Sequence, residues 1–77
     1  DNASGTAALL ELAKAFTSLP QRPRRTILFA FWDAEEIGLL GSKHWVRNPT
    51  RPLKQLKLVL NIDMLGRLRD GNLIVMG

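Results

Sequence analysis

The chain contains no cysteine and no tyrosine, only one histidine, and no apolar stretch approaching the roughly 18 residues that span a bilayer. Without thiols it forms neither disulfides nor thiolate metal sites, so any metal is held by oxygen or imidazole. No tract of biased composition interrupts the sequence, and with 45% hydrophobic residues it belongs among globular chains. It also lacks an initiator methionine and any charged leader ahead of an apolar run, and opens directly at Asp1. It is therefore expected to be an excerpt of a longer protein, and the missing signal peptide bears nothing on secretion. At 77 residues it makes at most one small domain whose sheet buries little surface, so a further part of the protein is expected to cover it. The formal charge of +4 and the pI of about 10.4 invite a nucleic-acid reading. Yet the basic residues are scattered, from Arg22, Arg24 and Arg25 through Lys43 and Lys57 to Arg67 and Arg69, with no basic helix face or aromatic platform. A nucleic-acid partner is not expected, and no membrane segment is present.

Periodicity supplies the elements. Leu9, Leu12, Ala13 and Phe16 recur on one helical face while Glu11, Lys14 and Ser18 fall opposite, which predicts a helix over residues 2–16. Asp1, Asn2 and Ser4 offer short side chains to the free amides of its first turn, and Pro20 stops it. Residues 26–32 are apolar and rich in β-formers, as a strand covered on both faces reads. An acidic turn over 33–38 follows, then a short helix over 39–47 ended by Asn48-Pro49. A second buried strand over 57–62 leads into Asp63, and a third candidate occupies 73–76 after the turn at Asp70-Gly71-Asn72. Helix, strand, helix, strand is the order of an α/β sheet with parallel strands and crossover helices.

In such a sheet ligands bind beyond the carboxyl ends of the strands, and the acids collect there. Glu35 and Glu36 lie just past one strand, Asp63 closes another, and Asp1 stands directly before a helix. Carboxylates gathered at one rim repel one another unless cations sit between them. Zinc accepts Asp and Glu oxygens together with imidazole, and two metals roughly 3.5 to 4 Å apart share a bridging carboxylate. Adjacent glutamates divide the labour: one ligates a metal while the other stays free to take a proton from the attacking water.

Spacing alone is weak, since acids at strand ends also cap helices. The residues say more. Asp1-Asn2-Ala3-Ser4-Gly5, Asp33-Ala34-Glu35-Glu36-Ile37-Gly38-Leu39-Leu40-Gly41-Ser42 and Asn61-Ile62-Asp63-Met64-Leu65-Gly66 resemble, in order and separation, the zinc aminopeptidase family M28. The resemblance implies a partial catalytic domain over residues 1–77. It implies a three-layer α/β fold, a mixed and mostly parallel sheet flanked by helices, present here only in part. It further implies that Asp1 bridges two zinc ions, that Glu36 is the terminal ligand of one and Asp63 a ligand of the other, and that Glu35 is the general base. The substrate is then an N-terminal peptide or aminoacyl bond, and the partner is the remainder of the parent catalytic domain. The two histidine ligands of the family fall at positions outside these 77 residues, so the piece alone is expected to bind zinc weakly or not at all and to be inactive. A secreted or periplasmic location is what the family suggests.

Competing readings remain at this stage. Asp1 and Asp63 are each read alternatively as helix caps, and the Glu35–Glu36 pair as a solvated loop or a first-turn helix charge pair. His44 falls where the family has no ligand and reads as a surface or packing residue. Asp33 either orients a ligand or satisfies amides of its own turn. Gly38, Gly41 and Gly66 serve tight turns, and Trp32 and Trp45 are core or helix-packing residues and not substrate platforms. At the level of function the alternatives are a glutaminyl-cyclase-like acyltransferase with a single zinc and a non-catalytic receptor or scaffold domain of the same fold.

Overall fold

The computed structural model describes residues 2–66, 70–72 and 74–77. Its elements are helix α1 (Ala3–Thr17), helix α2 (Leu40–Arg47) and a short 3-10 turn at Leu53–Gln55. The chain divides into two units, one formed by Asp1–Phe29 with Asn61–Gly77 and the other by Ala30–Leu60. Each is described by itself.

In the first unit, α1 begins one residue later than its periodicity predicts, because Asn2 is not helical. Asn2 adopts a left-handed backbone (φ 47°, ψ 30°) and acts as the N-cap, its side-chain oxygen accepting from the Gly5 amide at 3.2 Å. At the other end the Ser18 amide donates to the Lys14 and Ala15 carbonyls, and the Thr17 and Ser18 hydroxyls both donate to the Lys14 carbonyl. These bonds satisfy acceptors that a helix end leaves free, before Pro20 forbids another turn. The predicted apolar face is covered in part: Leu9 and Ala13 are half-buried and Leu12 is exposed, and the exposed Phe16 ring packs on Phe29 with centroids 6.4 Å apart and planes tilted by 55°.

In the second unit, α2 follows the acidic turn as expected. Eight residues are too few for a helix to hold on propensity alone, so its contacts decide. Trp45 packs on Trp32 with ring centroids 5.7 Å apart, and its indole N–H donates to the Thr50 hydroxyl at 3.1 Å. The two tryptophans thus pack at α2 and are not core residues, since Trp32 is exposed and Trp45 half-buried.

The expected strands are the point of difference. Among the described residues, 26–32, 57–62 and 74–76 carry no strand; Leu73, the first residue of the third candidate, lies outside the described residues. Most apolar side chains of these runs are exposed, Leu58 83%, Val59 75% and Leu60 71%, while Phe29, Ala30 and Ile62 are half-buried. A buried strand is stabilised by ladder partners and by the layers on its two faces far more than by its own propensity. Neither is supplied within these units, and no large apolar side chain among the described residues is buried.

Candidate metal centre

Glu35 and Glu36 are presented by a loop that closes on itself by backbone bonds. The Gly38 and Leu39 amides donate to the Glu35 carbonyl at 3.2 and 2.8 Å, the Leu40 amide donates to the Ala34 carbonyl at 3.1 Å, and the Gly41 amide donates to the Asp33 carbonyl at 3.1 Å. The loop is therefore laced to the first turn of α2. Three of its residues have positive φ: Ala34 (57°), Gly38 (99°) and Leu39 (60°). Glycine adopts such a backbone freely, whereas alanine and leucine do so at a cost that surrounding bonds must hold. Gly38 is a turn glycine as expected, but Gly41 has a different reason to be small. A Cβ on Gly41 would stand 2.5 Å from the Asp33 carbonyl oxygen and 2.9 Å from its nitrogen, so Gly41 permits close approach of two backbones. The Asp33 carboxylate accepts from the Ala34 amide at 2.8 Å, which supports the reading that Asp33 satisfies an amide of its own turn.

Asp63 lies in the first unit, in the segment that runs beside the start of α1. The Asn2 carboxamide holds that segment: its N–H donates to the Ile62 carbonyl at 3.3 Å, and its oxygen accepts from the Met64 amide at 2.9 Å. Met64 has a left-handed backbone (φ 56°). Gly5, buried within the first turn of α1, lies against the same carbonyl, and a Cβ there would come within 2.8 Å of the Ile62 oxygen. Sequence reasoning treated Asn2 only as a helix cap and gave Gly5 no separate role; the signal available was a glycine three residues after the cap, in the turn where it permits the approach.

The structure thus brings Glu35 and Glu36 together on one loop and sets Asp63 on the other unit; Asp1 lies outside the described residues. The carboxylates of Glu35, Glu36 and Asp63 are exposed. Among the described residues no group of three His, Cys, Asp or Glu side chains forms a cluster fit for a metal ion. His44 is exposed on α2, and its carbonyl accepts from the Asn48 amide and side chain at 2.9 and 3.2 Å.

Comparison with known proteins decides what these motifs belong to. Residues 1–77 match Peptidase family M28. The chain belongs to this family. It is 44% identical, over its full length, to an aminopeptidase of Pseudomonas aeruginosa, and 41% identical, again over its full length, to leucine aminopeptidase 2 of Trichophyton rubrum. Leupeptin-inactivating enzyme 1 of Streptomyces exfoliatus is 42% identical across 92% of the chain. The chain spans only 16% of the Streptomyces protein, 14% of the Pseudomonas protein and 15% of the Trichophyton protein. No solved structure matches it.

Proposed function

We propose that this M28 segment supplies the acidic part of the active site of a zinc-dependent aminopeptidase. The observation that carries the proposal is the full-length match at 44% identity to an aminopeptidase, within a peptidase family that matches every residue of the chain. The remainder of the protein then provides the imidazole ligands and completes a three-layer α/β domain. In that domain the apolar runs 26–32, 57–62 and 74–76 pair as strands of a mixed, mostly parallel sheet.

The donor chemistry fits a divalent cation. Glu36 and Asp63 offer hard carboxylate oxygens at exposed positions, and with no cysteine in the chain an oxygen and imidazole ligand set is the one available. The fit is partial, since the described residues do not gather three ligands. Asp1, Glu36 and Asp63 would hold the metal. When bound, a pair of zinc ions polarises the scissile carbonyl and acidifies the attacking water. Glu35, left free of metal, takes the proton from that water on its carboxylate and passes it to the departing amine, a role suited to a carboxylate held within hydrogen-bond reach. The backbone bonds of the 33–41 loop fix the main chain from which that carboxylate projects.

The substrate class is a peptide or aminoacyl amide with a free N-terminus, and the proposed location is secreted or periplasmic. No helix among the described residues is long and apolar enough to cross a membrane. The test is zinc content and hydrolysis of aminoacyl p-nitroanilides by the whole protein. Two zinc ions per chain with hydrolysis are expected. One zinc with cyclisation of N-terminal glutamine would replace the proposal by an acyltransferase, and neither metal nor turnover would leave a scaffold domain.

A further inference from the structure

We infer that Asn2 is a positioning residue of the proposed metal centre: its carboxamide ties the 62–64 backbone to the start of α1 and so holds the backbone that carries Asp63. The inference rests on the proposed function for its consequence, and on hydrogen-bond geometry for its content. Three bonds converge on one side chain. The oxygen accepts from the Gly5 amide at 3.2 Å and from the Met64 amide at 2.9 Å, and the nitrogen donates to the Ile62 carbonyl at 3.3 Å. Both lone pairs of the amide oxygen and one of its two N–H groups are thereby used.

The bonds to Ile62 and Met64 flank Asp63 on both sides in sequence, so they hold the backbone from which its carboxylate projects. Asp1 is joined to Asn2 by one peptide bond, which keeps their Cα atoms no more than about 3.8 Å apart. A residue that caps α1 is thus also the link between the chain positions of two proposed ligands 62 residues apart in sequence. A helix cap alone requires only the bond to Gly5; the other two bonds exceed that need. Gly5 belongs to the same device, because any Cβ there would push against the Asn2 carboxamide and the Ile62 carbonyl. The left-handed backbones at Asn2 and Met64 place the two bonded segments at this distance and are held there by these bonds.

The experiment uses the whole protein and the variants Asn2→Ala and Asn2→Asp. Asn2→Ala removes all three bonds, whereas Asn2→Asp keeps the two acceptor bonds and loses the donation to Ile62. Amide hydrogen exchange at Met64 reads the tie without reference to activity: protection in the parent, retained in Asn2→Asp and lost in Asn2→Ala, is expected. Zinc affinity by competition with a chromophoric chelator should fall at least tenfold in Asn2→Ala, and kcat at least tenfold with KM changed less than threefold. Asn2→Asp should recover more than half of both losses. A folded Asn2→Ala with parental zinc affinity and kcat overturns the inference, as does an Asn2→Asp no better than Asn2→Ala. Should Asn2→Ala fail to fold, Asn2→Asp decides: zinc affinity that follows Met64 amide protection, both kept or both lost, supports the inference, and one kept without the other overturns it. A parent that takes up no zinc sinks the proposed function instead, and the Met64 exchange then reports whether the tie exists apart from it.

Discussion

Ala34, Leu39 and Met64 carry left-handed backbones at φ 57°, 60° and 56°, and the first and last of them directly adjoin Glu35 and Asp63. Residues with a Cβ hold such angles at a cost of about 1–3 kcal/mol each, which persists only where neighbouring bonds over-determine the conformation. Here those bonds are the Leu40 amide to the Ala34 carbonyl and the Met64 amide to Asn2. A β-branched side chain raises the cost at such an angle, while glycine removes it. Ala34→Val in the whole protein should therefore lower stability by about 1–3 kcal/mol, and Ala34→Gly should leave it nearly unchanged as relief of strain offsets the added freedom of the unfolded chain. Urea denaturation of the two variants checks this. Glu35 was legible from sequence because it follows an apolar run; the unusual backbone before it was not, since alanine gives no warning of positive φ. If Glu35 moves the proton, Glu35→Gln should reduce kcat by about 10²–10⁴-fold with zinc content retained. Equal loss of zinc in Glu35→Gln, measured by metal analysis, would reassign Glu35 as a ligand.

Both helices were readable from periodicity and terminators, and their observed bounds fall within one residue of expectation. The reason is that each is specified locally, by a side chain or a turn within a few residues of its end. Gly41 shows where local reasoning stops. Inside α2, glycine is about 1 kcal/mol worse than alanine on helix propensity alone, which predicts that Gly41→Ala stabilises. The Asp33 backbone atoms at 2.5 and 2.9 Å from the new Cβ decide otherwise, because backbone laced into a closed loop has little room to give. Overpacking at such a contact costs about 1–3 kcal/mol, so Gly41→Ala should be net destabilising and should weaken activity through the loop that carries Glu35. A variant more stable than the parent in thermal unfolding, with unchanged turnover, would show the loop to be slack.

At the scale of the whole chain, the described residues bury no large apolar side chain, while Ile74 and Val75 stand 77% and 82% exposed and Leu58, Val59 and Leu60 stand open. Hydrophobic burial is the main favourable term in folding, so these 77 residues expressed alone should show no cooperative thermal transition, should bind a dye that reports exposed apolar surface, and should neither take up zinc stoichiometrically nor hydrolyse an aminoacyl p-nitroanilide. A sharp melting transition of the isolated chain would contradict this. By itself the sequence determined family membership and the two helices to within one residue of their ends, and it marked Asp1, Glu35, Glu36 and Asp63 as candidate ligands and base, since each motif is written in a short run of adjacent residues. The tertiary structure alone decided that Asn2 reaches across to Ile62 and Met64 and that Gly5 and Gly41 are small for close approach. Those facts join positions distant in sequence or backbones that pass within a few ångströms, and the identity of a residue does not reveal what the fold lays against it.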